Sequence, residues 1–202
     1  MSIIWKTHKK LDQLKVDKIY DHLKGGEINF EGFYTTYYDI KTRRKFVEDL
    51  LREEYRKIID KALSDLGLKD HIDYINPFWV QMYESRTNGH EVHEHFSGTE
   101  FFSWVHFVQT PDQKCFYFID SDGNKIYPDH QSSGDFIIFP PWQPHGVDVV
   151  ETSDVSRIVV AGNVAVSEFR GRRGNNWHSI VEQTGQVTWK RIIKKSFNMM
   201  RL

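Results

Sequence analysis

From Asn76 onward the chain is a succession of short segments rich in β-branched and aromatic residues. This pattern constrains the fold more than any other feature of the sequence. The segments are PFWVQMY, EFFSWVHFV, CFYFID, GDFIIFP, GVDVV and SRIVVAGNVAV. Turn sequences separate them, and one of these contains Asp122-Gly123, a pair that favours a tight hairpin. Many short strands in a row predict a sandwich or a jelly-roll barrel.

The first third of the chain has the periodicity of helices instead. Apolar residues recur at helical spacing over residues 9–23, and Gly25-Gly26 ends the pattern. A stronger apolar stripe occupies residues 43–66, and Gly67 stands where a helix C-cap is expected. Helices followed by strands predict an α+β, mainly β domain, not alternating βαβ units. We therefore expect residues 1–75 to be mainly helical and to buttress a β core at residues 76–167.

Length and composition limit the class of protein. The 202 residues suit a single domain spanning 1–202. No apolar run is long enough to cross a membrane, and the first residues do not resemble a secretory signal. The single Cys115 excludes an internal disulfide and a cysteine metal site, which fits a reducing, cytoplasmic location.

The charge of the chain is unevenly distributed. A net charge of −1 argues against general nucleic-acid binding, but residues 168–202 carry eight Lys/Arg and two Asp/Glu. We interpret this basic C-terminal extension as a solvated or docking segment, with contact to an acidic partner as the alternative. The helices and this extension could also recruit a macromolecule or form a homodimer.

Three histidines carry the candidate chemistry. His93 and His95 are two residues apart, so on a strand their rings would project to the same side while Glu94 points away. His145 follows a strand and a proline-rich turn. Three such donors leave coordination positions open, as Fe(II) oxygen chemistry requires. A His-X-His pair alone is weak evidence, because paired surface histidines are common in strands, whereas His106, inside an apolar strand, is expected to be packed.

The chain also resembles a known superfamily. From Phe78 to Val166 it is similar to the 2-oxoglutarate- and Fe(II)-dependent oxygenases, which fold as a double-stranded β-helix (jelly roll). The matching segments are His93-Glu94-His95-Phe96-Ser97-Gly98, Val105-His106-Phe107-Val108-Gln109-Thr110-Pro111, Gly134-Asp135-Phe136-Ile137-Ile138-Phe139-Pro140, Pro144-His145-Gly146-Val147 and Arg157-Ile158-Val159-Val160-Ala161-Gly162-Asn163. The resemblance implies Fe(II) on His93, His95 and His145, with 2-oxoglutarate as co-substrate and O2 as substrate. It further implies hydroxylation of an unknown small-molecule or peptide substrate, prolyl by analogy, with oxidative decarboxylation of 2-oxoglutarate to succinate.

The resemblance also implies a co-substrate site. It assigns Arg157 to the distal carboxylate of 2-oxoglutarate and, less specifically, Tyr83 and His90 to the surrounding pocket. Arginine suits the role because its planar fork binds a carboxylate through two hydrogen bonds, and burying it unpaired is costly. In the alternative, Arg157 begins its strand at the solvent-exposed end or pairs with an acid such as Asp154. Ordinary packing is the alternative for Tyr83 and His90.

The first metal motif departs from the common pattern, and this leaves other functions open. Most of the superfamily has Asp or Glu where this chain has His95, so Glu100 is an alternative ligand. The spacing His93-X-His95-X4-Glu100 also fits a cupin, with three histidines, one glutamate and no 2-oxoglutarate. A non-catalytic β-barrel binding module is a third possibility. An arginine inside the barrel would favour the oxygenase, because a cupin does not need one.

Overall fold

The computed structural model describes residues 3–27, 32–85, 89–95, 100–151 and 154–170. Nearly all of the basic extension predicted at 168–202 lies outside these ranges, as do Phe96, Ser97 and Gly98 of the first motif. The elements are β1 (Trp5–His8), α1 (Gln13–Lys24), β2 (Tyr34–Thr35), α2 (Arg43–Asp65), β3 (Ile72–Ile75), β4 (Phe78–Tyr83), β5 (His90–His93), β6 (Glu100–Gln109), β7 (Phe116–Ile119), β8 (Lys125–Ile126), β9 (Asp135–Phe139), β10 (His145–Val147) and β11 (Arg157–Phe169). Neither of the two helices is long and apolar enough to cross a membrane.

The strands form two antiparallel sheets. The major sheet has the order β1-β9-β6-β11-β4-β2, and β3 also pairs with β11. The minor sheet has the order β5-β10-β7-β8. The turn at Asp122-Gly123 joins β7 to β8, and Gly123 has the positive φ of 84° that such a turn requires. The predicted mainly β jelly roll with N-terminal helices is confirmed.

Alternation along β11 separates two cores. Ile158 and Val160 pack in the core between the major sheet and the helices, whereas Val159 and Ala161 pack between the two sheets. Successive side chains of a strand point to opposite faces. Arg157 has the same parity as Val159 and therefore projects into the barrel. Strand β11, which contributes side chains to both hydrophobic cores, thus also places a cation inside the barrel.

The two helices cover the outer face of the major sheet, as predicted. One face of α2 is buried against β4, and Gly67 follows the helix with a φ of 70°, the left-handed conformation expected at its end. Asp12 caps α1, because its carboxylate accepts a hydrogen bond from the Leu14 amide at 2.9 Å. The buried residues of α2 are Val47, Leu51, Tyr55, Ile58, Ile59, Ala62 and Leu63.

The N-terminal part is less purely helical than the sequence predicted. Three short strands, β1, β2 and β3, lie within residues 1–75. β1 forms an edge of the major sheet, where Trp5 pairs with Ile138. Strands of two to four residues are too short to show alternation, so pairing with distant strands decides their conformation. Pairing with β3 likewise extends β11 to Phe169, beyond the predicted limit of the core at 167.

His106 is packed in the outer core, as the sequence predicted. Its side chain is fully buried; Nδ1 lies 2.9 Å from the Tyr55 hydroxyl and Nε2 lies 2.8 Å from the Lys9 carbonyl oxygen. The carbonyl can only accept, so Nε2 carries the proton and Nδ1 accepts from Tyr55. Burial lowers the pKa of His106 to about 4. The ring therefore stays neutral and holds the segment after β1 against α2.

This arrangement predicts a pH-dependent stability. Between about pH 6.5 and 4 the unfolded chain protonates His106 while the folded protein does not, so the free energy of unfolding falls as the pH drops. The loss attributable to His106 is about 3 kcal/mol at most, and above pH 7 it vanishes. His106→Gln keeps an acceptor for Tyr55 and a donor for Lys9 but cannot titrate. Urea unfolding at pH 7.5 and 5 should show a smaller acid loss in this variant; equal losses would contradict the prediction.

Candidate metal centre and co-substrate pocket

The three predicted ligands meet at one end of the barrel. His93 is the last residue of β5 and His145 the first of β10, and the two are direct cross-strand partners. One ligand atom from each of His93, His95 and His145 lies within 4.8 Å of the others. We refer to these residues as the triad. Its members come from two neighbouring strands and the loop between sheets, so one side of the cluster stays open toward the barrel.

His95 reaches the triad by a different route from the one predicted. The expected geometry placed both residues of the His-X-His pair on one strand, but β5 ends at His93. The chain then leaves the sheet, and the backbone N–H of His95 donates to the Pro141 carbonyl at 2.8 Å. This bond ties the residue to the turn before His145. The convergence was predicted, but its cause is loop anchoring and not strand alternation.

Backbone carbonyls fix the tautomers of two ligands. Nδ1 of His93 lies 2.8 Å from the Glu91 carbonyl oxygen, and Nδ1 of His145 lies 2.9 Å from that of Gln143. Because a carbonyl only accepts, each Nδ1 carries the hydrogen and each Nε2 keeps a free lone pair. Such a contact to the second ring nitrogen is the usual support of a metal-binding histidine.

The electrostatics keep two members of the triad, His95 and His145, in their metal-binding form. Burial, followed by the neighbouring His93, lowers the pKa of His95 to about 4 and that of His145 well below its ordinary value. Both rings are therefore neutral at neutral pH, which is the state that coordinates a metal. Glu100 opposes the shift of His95, so its charge acts on the triad. It is not among the residues that converge on one point in the described part of the chain.

Arg157 lies inside the barrel without a hydrogen-bonding partner for its terminal nitrogens. The residue is only 1% exposed, and neither Nη1 nor Nη2 has a partner among the described residues. Its guanidinium carbon lies 5.0 Å from the centre of the Tyr83 ring and 5.8 Å from that of Phe107. Burial lowers the pKa of Arg157, yet a guanidinium stays protonated in proteins. The residue is not at an exposed strand end, and among the described residues its terminal nitrogens pair with no acid, Asp154 included.

A pocket connects Arg157 with the triad. Trp79, Gln81, His90 and Val159 are among the residues that line it. The ring of His90 also lies against that of His93 in a tilted arrangement, with ring centres 4.2 Å apart, and burial lowers the pKa of His90 to about 3. A cation at one end and neutral nitrogen donors at the other suit a small dicarboxylate that chelates a metal through one end.

Tyr83 lies behind this pocket and does not line it. Its ring is fully buried beside Arg157, and its hydroxyl donates to Oε1 of Gln81 at 3.2 Å. With its oxygen engaged in this way, Gln81 presents its amide nitrogen as the remaining donor. Gln81 was not predicted from the sequence as a site residue. The sequence feature that could have indicated it is an amide side chain between Trp79 and Tyr83, at one of the alternate positions of β4 whose side chains face the barrel interior.

Comparison with known proteins gives a structural result only. No protein-family model and no curated protein sequence matches the chain. A Pseudomonas putida prolyl-4-hydroxylase matches over 80% of this chain and 91% of its own, at 14% identity and a TM-score of 0.54. A Trichoplax adhaerens prolyl hydroxylase, solved with a peptide of hypoxia-inducible factor, matches over 80% and 82%, at 10% identity and 0.55. The α-ketoglutarate-dependent epimerase SnoN of nogalamycin biosynthesis matches over 78% and 76%, at 12% identity and 0.56.

The chain has the fold of the 2-oxoglutarate- and Fe(II)-dependent oxygenases. The predicted resemblance is thus confirmed at the level of the fold. The same fold carries a hydroxylase, an epimerase and a carbocyclase among these structures. A shared fold does not select between reactions, so the function has to be argued from the site.

Proposed function

We propose that this protein is a 2-oxoglutarate- and Fe(II)-dependent dioxygenase. His93, His95 and His145 would hold the iron, and Arg157 would receive the distal carboxylate of 2-oxoglutarate. The observation that carries the proposal is the buried guanidinium of Arg157, which lines the same pocket as the triad and has no partner for its terminal nitrogens among the described residues. A cupin does not need such a group.

The energetics of Arg157 favour an anionic ligand. A buried guanidinium whose terminal nitrogens lack hydrogen bonds destabilises the folded state, and a carboxylate would satisfy both of them through parallel charge-assisted bonds. The amide nitrogen of Gln81 offers a further donor on the wall between Arg157 and the triad. In the ligand-free protein this buried cation therefore lowers the stability of the folded state, and an anionic ligand would remove that penalty.

The triad fits a divalent metal that uses open coordination positions. When bound, the metal and 2-oxoglutarate would supply O2 activation, with release of succinate and carbon dioxide and hydroxylation of the substrate. The chain's own part is to orient the neutral imidazoles and to exclude water with the apolar walls formed by Phe116, Phe139, Val147 and Val159. Because the triad adds no negative charge, we expect it to hold Fe(II) less tightly than a set that includes a carboxylate.

For the substrate we propose a peptidyl residue, with proline as the first candidate. The support is the likeness to two prolyl hydroxylases, one of them solved with a bound peptide fragment. A small-molecule substrate is the alternative, since the epimerase and the carbocyclase of nogalamycin biosynthesis share the fold. A homodimer and a cytoplasmic location complete the proposal; the lone Cys115 supports the second.

An anaerobic titration tests the proposal. Fe(II) is added to the purified protein first and 2-oxoglutarate second, while the visible charge-transfer band of a metal-chelated 2-oxo acid is recorded. We expect the band to appear with one equivalent of each. Metal binding without a band would replace the oxygenase with the cupin function. Failure to bind Fe(II) would make the histidines structural and the protein a binding module.

A further inference from the structure

Four aromatic rings form a continuous series from the triad to the protein surface. The ring of His95 lies 5.6 Å from that of Trp79, Trp79 lies 4.9 Å from Tyr37, and Tyr37 lies 5.1 Å from Tyr38, all measured between ring centres. Trp79 is 4% exposed, whereas Tyr37 and Tyr38 are 44% and 58% exposed. The series therefore runs from a candidate metal ligand, through a buried indole, to two solvent-exposed phenols.

We propose that Trp79, Tyr37 and Tyr38 form a relay that carries oxidising equivalents from the metal centre to the surface when no substrate is present to be oxidised. The relay rests on the proposed function, because O2 activation at the triad supplies the oxidant. Indole and phenol rings are among the side chains that lose one electron most readily. Adjacent rings in van der Waals contact allow the transfer to proceed in short steps.

The electron balance of the relay is one electron and one proton per event. Trp79 would give one electron to the oxidised metal that His93, His95 and His145 would hold, Tyr37 would give one to Trp79, and Tyr38 would give one to Tyr37. Tyr38 then releases its hydroxyl proton to water and becomes a neutral radical. A soluble one-electron reductant of the ascorbate or thiol class returns an electron, a proton from water restores the phenol, and the metal centre is left reduced by one electron.

The surrounding charges favour outward transfer. The guanidinium of Arg44 lies 5.9 Å from the centre of the Trp79 ring, and a nearby positive charge disfavours a cation resting on the indole. The exposed phenols can transfer their protons to water, so the outer end of the series is where the oxidised state is most stable.

The triad has no competing route of the same kind in the described structure. Its remaining ring contacts are with His90, Phe116 and Phe139, which are harder to oxidise than an indole or a phenol. A second surface pair, Tyr117 and Tyr127, has ring centres 5.8 Å apart on the minor sheet, but among the described ring contacts neither touches the triad. This pair provides a matched control.

The test compares wild-type protein with Trp79→Phe, Tyr37→Phe and Tyr127→Phe. Each is loaded with Fe(II) and exposed either to O2 with 2-oxoglutarate or to hydrogen peroxide, without substrate. Freeze-quench EPR detects tyrosyl radicals, peptide mass spectrometry locates oxidised residues, and succinate is measured in the same samples. Because Trp79 lines the pocket, Tyr37→Phe, which changes a residue outside the pocket lining, keeps the test valid if the first variant binds metal poorly.

We expect a tyrosyl radical and oxidation at Tyr37 and Tyr38 in wild type. Both should be lost in Tyr37→Phe, with oxidation appearing at Trp79 and His95 instead, and both should be unchanged in Tyr127→Phe. Succinate formation with the same radical and modification pattern in Tyr37→Phe would overturn the relay alone. If peroxide caused oxidation that depends on Tyr37, but no succinate formed with O2 and 2-oxoglutarate, the relay would be supported and the proposed oxygenase function would be contradicted. Failure to bind Fe(II) would remove both.

Discussion

Arg157→Met is expected to stabilise the ligand-free protein while abolishing its binding of 2-oxoglutarate. The wild-type guanidinium is fully buried and its terminal nitrogens lack partners among the described residues, so the folded state carries an uncompensated desolvation cost. Methionine fills similar space without that cost. The gain should be about 1–3 kcal/mol, the usual penalty for a buried unsatisfied group. For a chain of this size each kcal/mol raises Tm by about 2–4 °C.

The loss of binding should be equally clear. A carboxylate in the pocket would lose both parallel hydrogen bonds and its counter-charge, and such truncations cost about 2–5 kcal/mol, or roughly thirtyfold and more in Kd. Thermal unfolding of the apo proteins and an anaerobic 2-oxoglutarate titration of the Fe(II) forms measure the two effects. In wild type, 2-oxoglutarate should raise the Tm of the Fe(II)-loaded protein above its value with Fe(II) alone. In the variant, 2-oxoglutarate should give no increase beyond that caused by Fe(II).

Two variants serve as controls. Arg157→Lys keeps the positive charge but loses the planar fork, so it should remain destabilised and bind 2-oxoglutarate weakly. Arg170→Met removes an exposed arginine that pairs with Asp73 and should change neither property appreciably. If Arg157→Met were instead less stable than wild type, the contacts of the guanidinium with Tyr83 and Phe107 would be structural, and the main support for a co-substrate site would be lost.

The position of Arg157 shows how far the sequence alone could predict the site. One arginine at the start of an apolar strand predicted both a buried cation and its need for an anionic partner. The structure shows in addition that the Arg157 side chain points to the same face of β11 as Val159 and Ala161, which is the face toward the barrel interior. That no described acid pairs with its terminal nitrogens could not be read from the sequence, because this depends on which residues of other strands face the same interior.

Other features depended on contacts between distant parts of the chain. The pairing of β1 with β9 joins residues about 130 positions apart, and the contact of Tyr37 with Trp79 joins a loop to a strand. Neither leaves a local signal. His95 shows the opposite error, since a correct convergence was predicted from an alternation rule that does not apply once β5 has ended. Local patterns thus predicted the elements and candidate ligands, while loop anchoring and cross-strand register decided their geometry.

His145→Ala is expected to remove Fe(II) binding. His145 is buried at the start of β10, its Nδ1 is held by the Gln143 carbonyl, and its free Nε2 belongs to the triad. Loss of a supporting contact around a metal typically lowers affinity 10- to 100-fold, so loss of a ligand itself should lower it by roughly a hundredfold or more. Only two donors would remain, and the charge-transfer band with 2-oxoglutarate should disappear with the metal.

The matched control is His90→Phe, which separates a ligand from a neighbour in the same pocket. The ring of His90 makes tilted contacts with the rings of His93 and Phe33, with centres 4.2 and 5.2 Å apart, yet His90 is not part of the converging group. Phenylalanine preserves these ring contacts and cannot coordinate. Calorimetric titration with Fe(II) should therefore give an affinity within a few-fold of wild type for His90→Phe and no measurable binding for His145→Ala. If both variants lost the metal equally, His90 would be a metal ligand, and the proposed centre of His93, His95 and His145 would be wrong.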